Sequence, residues 1–373
     1  MDRGRIRRMF PGGNTSEGFF SYYDHIIGPE ARRVFVLKGG PGAGKSTFLH
    51  RIAADMVARG FGVDLYHCAA DPASLDAVTI PALGVALIDG TAPHVVDPRY
   101  PGCGDEIVDL GPYGDSARLE HQRPAIVALT AQAAPAFQRA YRLLAAARHV
   151  QDDWEAANTR ALDPGWANRQ VARVIAAATQ DRPVAARPGR VRRLFASAIT
   201  PDGPRHHLDT LAAPMSRVIV VRGEPGTGKA TLLSLVVQAA VQRGLDVEAF
   251  HCAFRPREVE HVLIPATGVA VLTCEPPHEH IPPGAEIIDM DAGLKPGARR
   301  AAARHLAQAR ALFQQLMEAA IGALKEAQAV HRAVEACYIP HMDFSAIEAR
   351  RLHIRDRLLA MAAGNGRQAD DAS

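Results

Sequence analysis

The sequence predicts an α/β protein built from two duplicated domains, each with a mostly parallel sheet that is followed by a helical hairpin. Three observations carry this prediction. A glycine-rich phosphate-binding motif occurs twice, the sequence around it repeats, and short β-branched runs alternate with helical segments. Strands that alternate with helices are typical of a covered, mostly parallel sheet.

The first glycine-rich loop satisfies every fixed position of the pattern G-x-x-x-x-G-K-[ST]. A strand is expected at 33–37 and a helix at about 45–59. Between them, backbone N–H groups and the start of the helix would face phosphate oxygens. We therefore expect nucleotide binding by the run Gly39, Gly40, Pro41, Gly42, Ala43, Gly44, Lys45, Ser46 and Thr47.

Three side chains in and near this loop fit the chemistry of phosphoryl transfer. Lys45 would bridge the β- and γ-phosphates of ATP, and the Ser46 hydroxyl would hold Mg²⁺. The apolar run 85–88 ends in Asp89, whose carboxylate would share that ion at the end of a neighbouring strand. An Asp at this place can also serve an ordinary turn, so that alternative stays open.

The repeat extends far beyond the loop. Residues 33–94 align with 217–278 without a gap, and 27 of the 62 pairs are identical. Two copies of this length indicate a duplicated domain rather than a solenoid. In the first copy, further strands are expected to end at His67 and to cover 85–88 and 107–110.

The remainder of each half is rich in Ala, Arg and Leu with helical periodicity. The resulting prediction places the first domain at 1–182 with a hairpin at about 116–180. The second domain is placed at 190–363 with a hairpin at about 297–363. Each hairpin is expected to pack on its own α/β core, and 364–373 is expected to be a flexible tail.

The second loop keeps the phosphate-binding lysine but loses both expected metal ligands. Ala230 stands in place of Ser46, and Thr273 in place of Asp89. Two interpretations remain: a regulatory site that binds phosphate without catalysis, or a loop kept only for packing. In the first interpretation the binding residues are Gly223, Gly226, Gly228, Lys229 and Thr231.

Hydrolysis also needs a group that activates water, and no Glu follows Asp89. Asp71 is the candidate base, since it becomes Arg255 in the degenerate copy. Asp76, His67 and His94 are alternatives, although both histidines persist in the second copy. That persistence favours a structural role for them.

Composition excludes several classes of protein. A net charge of +3 is too small to indicate a nucleic-acid partner, and no apolar run reaches the length of a membrane span. Five cysteines in a chain of 373 residues imply no disulfide framework. A cytoplasmic location is expected, with an oligomeric state that the sequence leaves open.

The segments 10–19, 38–47 and 80–94, with their echoes in the second half, resemble a bacterial family of tandem-P-loop proteins. Its members are described as ATPases or nucleotide-kinase-like proteins. The resemblance covers nearly the whole chain and implies two P-loop NTPase-like domains with ATP bound at 39–47. Ala230 departs from the Ser or Thr of the motif.

Three functions are consistent with these features. The first is a Mg²⁺-dependent ATPase with catalysis in the first half and a regulatory second half. The second is a phosphotransferase acting on a nucleotide or small metabolite, with Asp71 as base. The third is a nucleotide-gated interaction protein whose helical hairpins present the surface for a protein partner.

Overall fold

The computed structural model describes residues 3–92, 95–275 and 279–370. It is an α/β structure with two six-stranded, mostly parallel sheets. His94 lies outside the described residues, as do 371–373 of the predicted tail, while the last helix continues through Asp370. No helix in the described ranges combines the length and apolarity needed to cross a membrane.

The described residues form sixteen strands and seven α-helices. The strands are β1 (Ile6–Met9), β2 (Gly12–Thr15), β3 (Gly18–Ser21), β4 (Arg33–Lys38), β5 (Val63–His67), β6 (Leu75–Ile80), β7 (Val85–Asp89), β8 (Asp105–Asp109), β9 (Val191–Phe195), β10 (Ser197–Thr200), β11 (Gly203–His206), β12 (Arg217–Arg222), β13 (Val247–His251), β14 (Val259–Ile264), β15 (Val269–Cys274) and β16 (Glu286–Asp289). The helices are α1 (Lys45–Ala58), α2 (Ser116–Ala161), α3 (Pro164–Thr179), α4 (Leu208–Ala212), α5 (Lys229–Gln242), α6 (Pro296–Tyr338) and α7 (Phe344–Asp370).

The two large sheets have the same topology. The first has the order β1-β5-β6-β7-β4-β8, and the second, read in the matching direction, β9-β13-β14-β15-β12-β16. The strands expected at 33–37, 85–88, 107–110 and before His67 correspond to β4, β7, β8 and β5. The sequence did not predict β6 and β14, each of which runs antiparallel to both of its neighbours.

Each of two compact units combines segments from both halves of the sequence. The first unit consists of 1–11, 26–136 and 326–373, and the second of 12–25 and 137–325. These units differ from the expected domains 1–182 and 190–363. The hairpin β2–β3 belongs to the second unit, where Asn14 Nδ2 donates a hydrogen bond of 3.0 Å to the carbonyl of Ile199.

The last helix of the chain completes the core of the first unit. Ile354 and Leu358 on α7 are buried in one apolar cluster with Leu49, Ile52 and Met56 on α1. Ile354 and Leu358 are each 0% exposed. The hairpin of the second half thus supplies a helix to the core that carries the intact loop, which differs from the expectation that it packs on its own core.

The reverse holds in the second unit, where Val174 and Ala178 on α3 pack with Leu232 and Val236 on α5. A helix encoded in the first half thus supplies part of the core that carries the second loop.

Candidate functional site

The first loop connects the carboxyl end of β4 to α1, as the motif predicts. Gly44 adopts the left-handed conformation with φ 82°, which favours glycine, at the N-cap of the helix. No side chain caps this end of the helix. The N–H groups of the first helical turn therefore point, with the positive end of the helix dipole, toward the place where phosphate would bind.

Lys45 and Asp89 meet at this loop. The Lys45 ammonium donates hydrogen bonds to the carbonyl oxygens of Gly39 and Gly40, at 2.8 and 3.0 Å. Asp89 ends β7, which pairs with β4 in parallel register, and its Oδ2 lies 3.7 Å from the Lys45 ammonium. The two residues that the sequence placed in the site by separate arguments are thus brought together.

Ser46 and Asp89 offer hard oxygen donors of the kind that Mg²⁺ prefers. The Ser46 hydroxyl accepts a hydrogen bond of 3.0 Å from the N–H of Leu75, which fixes its orientation. Thr91 orients Asp89 by donating both its N–H and its hydroxyl to Oδ1. The described residues contain no cluster of three or more His, Cys, Asp or Glu side chains suited to a metal, so phosphate and water oxygens would have to complete the coordination.

The carboxyl end of α6 covers the first loop, a feature that the sequence did not predict. A Cβ placed on Gly40 would lie 2.7 Å from Cε1 of Tyr338, and one placed on Gly42 would lie 2.9 Å from Cγ1 of Ile339. Phe344, at the start of α7, lies 3.4 Å from the corresponding position on Gly44. The glycines therefore serve close helix packing as well as the conformation of the loop.

Asp71, the expected base, is held by other side chains of the first unit. Its carboxylate accepts a hydrogen bond of 2.7 Å from the Ser74 hydroxyl and one of 3.3 Å from Nε2 of Gln328. Arg332 on α6 lies 3.9 Å from it. These contacts direct Asp71 toward α6 and make it a poor general base.

The alternative bases are also constrained. Burial lowers the pKa of His67 to about 4. The hydrogen bond of 2.9 Å between its Nδ1 and the carbonyl of Pro72 opposes this shift without overcoming it, so the ring stays neutral near pH 7. Asp76 is buried, with 6% of its surface exposed.

The second loop places its lysine in the same way but gives it a counter-ion. The Lys229 ammonium donates to the carbonyls of Gly223 and Glu224 at 2.7 and 2.9 Å. It also lies 2.7 Å from Oε2 of Glu275, and only 7% of the lysine side chain is exposed. A carboxylate within the protein thus neutralises the charge that would attract phosphate.

Glu224, which replaces Gly40, anchors two helices to the second loop. Its carboxylate accepts hydrogen bonds from Asn158 on α2 at 3.1 Å and from Arg299 on α6 at 2.7 Å, and it also contacts Arg310. Its N–H, a candidate phosphate donor, instead donates to Asp291 at 2.9 Å. In the second loop, both the Lys229 ammonium and the Glu224 N–H are therefore paired with carboxylates of the protein.

A cavity of about 830 Å³ adjoins this second loop. Its lining includes Lys229 and the exposed Thr231, together with Glu155, Arg255 and Glu275. Glu155 and Arg255 form an ion pair of 2.9 Å. The lining therefore carries both signs of charge, and its bases Lys229 and Arg255 are already paired with carboxylates of the protein.

A reversed pair of charges distinguishes the two units. In the first, Asp71 faces Arg332 of α6, whereas in the second Arg255 faces Asp152 of α2 at 2.6 Å. Positions 71 and 255 correspond in the repeat, and so do 332 and 152 at the offset of 180 seen for β8 and β16. Packing each helix on its own core would set Asp against Asp and Arg against Arg, so the charges favour the observed exchange.

Glu155 makes the stability of the second unit depend on pH. Burial raises its pKa from 4.5 to about 7, against the opposing effect of Arg255. The folded protein therefore holds this proton more tightly than the unfolded chain, and the stabilisation is lost as pH rises from about 4.5 through about 7. We expect the Glu155 contribution to the denaturation midpoint, followed by fluorescence of Trp154 and Trp166, to fall over this range, while His251, whose pKa burial lowers to about 4, contributes in the opposite sense.

Glu155→Gln should flatten that dependence, because the amide cannot ionise. The matched variant Glu335→Gln changes the corresponding position of the first unit and should leave the tryptophan transition as pH-dependent as in the wild type. An unchanged pH dependence in Glu155→Gln would contradict the assignment to this carboxyl. Both tryptophans of the chain lie in the second unit.

The sequence reasoning missed Glu275, Glu224 and the helix residues Tyr338 and Glu335. One signal for the last was present, because Glu335 and Glu155 are identical residues at the offset of 180. Comparisons of the chain with protein-family models, curated proteins and solved structures find no match.

Proposed function

We propose that the first unit binds ATP with Mg²⁺ at residues 39–47 and hydrolyses it. One observation carries the proposal: the phosphate-loop lysine and the strand-end carboxylate Asp89 converge, 3.7 Å apart, beside an uncapped helix start. A loop lysine, a Ser or Thr hydroxyl and a strand-end carboxylate are the side chains that P-loop nucleotide hydrolases use in phosphoryl transfer.

Each residue has a distinct task in this proposal. The backbone N–H groups of the loop hold the phosphates, and Lys45 leaves its carbonyl partners to bind phosphate oxygens. Ser46 and Asp89 would hold Mg²⁺, which supplies neutralisation of the negative charge on the phosphates when bound. Thr91 keeps Asp89 oriented throughout.

The contacts of the second loop favour packing over a regulatory phosphate site. Phosphate there would have to displace Glu275 from Lys229, and it would also meet Glu155 in the same cavity. We therefore propose one nucleotide per chain, bound at the first loop. A calorimetric titration that gives two ATP per chain would show instead that the second loop binds.

A direct test is to titrate the full chain with a fluorescent ATP analogue, once with Mg²⁺ and once with EDTA. We expect Mg²⁺ to tighten binding to the wild type, and Ser46→Ala to lose most of that gain because a metal ligand is missing. Ala230→Ser restores the hydroxyl of the second loop and should change nothing, since Lys229 stays paired. No binding to the wild type in either condition would refute the proposal.

The nucleotide-gated interaction protein remains a second candidate because of one observation. Tyr338 packs against Gly40, so a nucleotide bound in the loop would directly change the contacts made by the end of α6. ATP binding without phosphate release in the same samples would favour this candidate. Release that depends on an added acceptor would favour the phosphotransferase, although the contacts of Asp71 argue against it as base.

A further inference from the structure

One face of α6 lies against the first phosphate site. Gln328 donates to the carbonyl of Ala70 at 3.2 Å, and Arg332 faces Asp71 at 3.9 Å. A Cβ on Gly42 would lie 3.0 Å from the carbonyl oxygen of Glu335 and 3.4 Å from its Cα. With 3.6 residues per turn these positions share one side of the helix, so the backbone of Glu335 lies over the loop and its side chain leaves the same side of α6.

The carboxylate of Glu335 is available for chemistry. Among the described residues its only ion pair is with His331, whose Nε2 lies 3.5 Å from Oε1, and 35% of the side chain is exposed. The imidazole of His331, and after it the charges of Lys45 and Arg332, lower the pKa of Glu335. The group is therefore ionised near pH 7, reachable by water and within the electrostatic reach of the phosphate-binding lysine.

The other carboxylates of this site are already held by neighbouring side chains. Asp71 is held by Ser74, Gln328 and Arg332, and Asp89 by Thr91 beside Lys45. In the degenerate unit, the residue equivalent to Glu335 is tied to Arg255 at 2.9 Å. Of these two equivalent carboxylates, the one without an arginine partner among the described residues is the one beside the loop that keeps its metal ligands.

We propose that Glu335 is the general base that activates the attacking water at the first loop, in place of the carboxylate that does not follow Asp89. This rests on the proposed ATP hydrolysis. The water oxygen forms a bond to the γ-phosphorus, and the bond from that phosphorus to the β,γ-bridging oxygen breaks. ADP leaves with the electron pair, Glu335 takes the proton from water, and inorganic phosphate is the second product.

The test compares Glu335→Gln with wild type for ATP affinity and for phosphate release. We expect affinity within about threefold of wild type, and kcat lowered by about 100-fold or more, the usual contribution of a general base. The matched variant Glu155→Gln should hydrolyse ATP like wild type. Circular dichroism checks that Glu335→Gln is folded. We expect that it is, because the Glu335 side chain is partly exposed.

A second variant gives a readout that a structural role would not move. Because His331 lowers the pKa of Glu335, His331→Gln should shift the acidic limb of the pH profile of kcat to higher pH while affinity stays the same.

The outcomes separate this proposal from the proposed function. If Glu335→Gln hydrolyses ATP at the wild-type rate, or loses binding as well, the general base lies elsewhere while ATP hydrolysis stands. Wild type that binds ATP without releasing phosphate overturns the role of Glu335 but leaves nucleotide binding. Wild type that does not bind ATP overturns both.

Discussion

Lys45→Ala is expected to abolish ATP binding and phosphate release while leaving the fold intact. Lys45 would bind two phosphate oxygens, and a charged hydrogen bond contributes about 1.5–3 kcal/mol. Losing two of them predicts at least about a 100-fold fall in affinity. Among the described residues, the Lys45 ammonium donates to two loop carbonyls and lies 3.7 Å from Asp89. This ion pair is longer than the 2.7 Å pair of Lys229 with Glu275, so the free energy of unfolding should fall less than in Lys229→Ala.

Lys229→Ala is the matched control and should behave in the opposite way. The substitution removes the ion-pair partner of Glu275 at a position where only 7% of the lysine side chain is exposed. Breaking such a buried pair costs about 3–5 kcal/mol. We expect the tryptophan transition to move to lower denaturant, with ATP affinity and hydrolysis unchanged. Loss of hydrolysis in Lys229→Ala without loss of stability would restore a nucleotide role for the second loop.

Ile354→Ala is expected to destabilise the first unit and spare the second. Ile354 is fully buried against α1, and truncating a core isoleucine to alanine costs about 2–5 kcal/mol. Because both tryptophans lie in the second unit, circular dichroism should show an early transition that tryptophan fluorescence does not report. ATP affinity should fall with that early transition, since the loop precedes α1.

Val174→Ala provides the mirror experiment at the corresponding position of α3. Val174 is buried with α5 in the second unit, so its truncation should lower the tryptophan transition and leave ATP binding intact. A tryptophan shift in Ile354→Ala with unchanged ATP binding would mean that α7 packs on the second core. That is the arrangement expected from the sequence.

The local features of the site could be predicted from the sequence because short-range rules set them. The loop needs glycines at fixed places, the lysine begins α1, and an apolar strand delivers Asp89 at its end. The strands that flank the loop were found for the same reason. By contrast, β6 was overlooked, since an antiparallel strand between β5 and β7 has no signature that separates it from the neighbouring apolar runs.

The exchange of helices could not be predicted from periodicity. An apolar stripe such as that of Ile354 and Leu358 shows that a helix is buried, but any apolar core can bury it. The contacts that select one core over the other lie at few positions. One is the charge pair of Asp71 with Arg332, and another is the close packing of Tyr338 on Gly40. The repeat alignment did contain the reversed charges of positions 152 and 332, which only a comparison across the helices would have revealed.

The exchange of α3 and α7 between the two halves has a consequence for how the chain folds. Each core needs a helix that the other half encodes, so neither half can complete its own core when it is alone. A covalent link between the halves supplies that helix at a high effective concentration, on the order of millimolar for short flexible tethers. Assembly of the two cores should therefore be independent of protein concentration, and fragments cut near residue 185 should refold only when mixed.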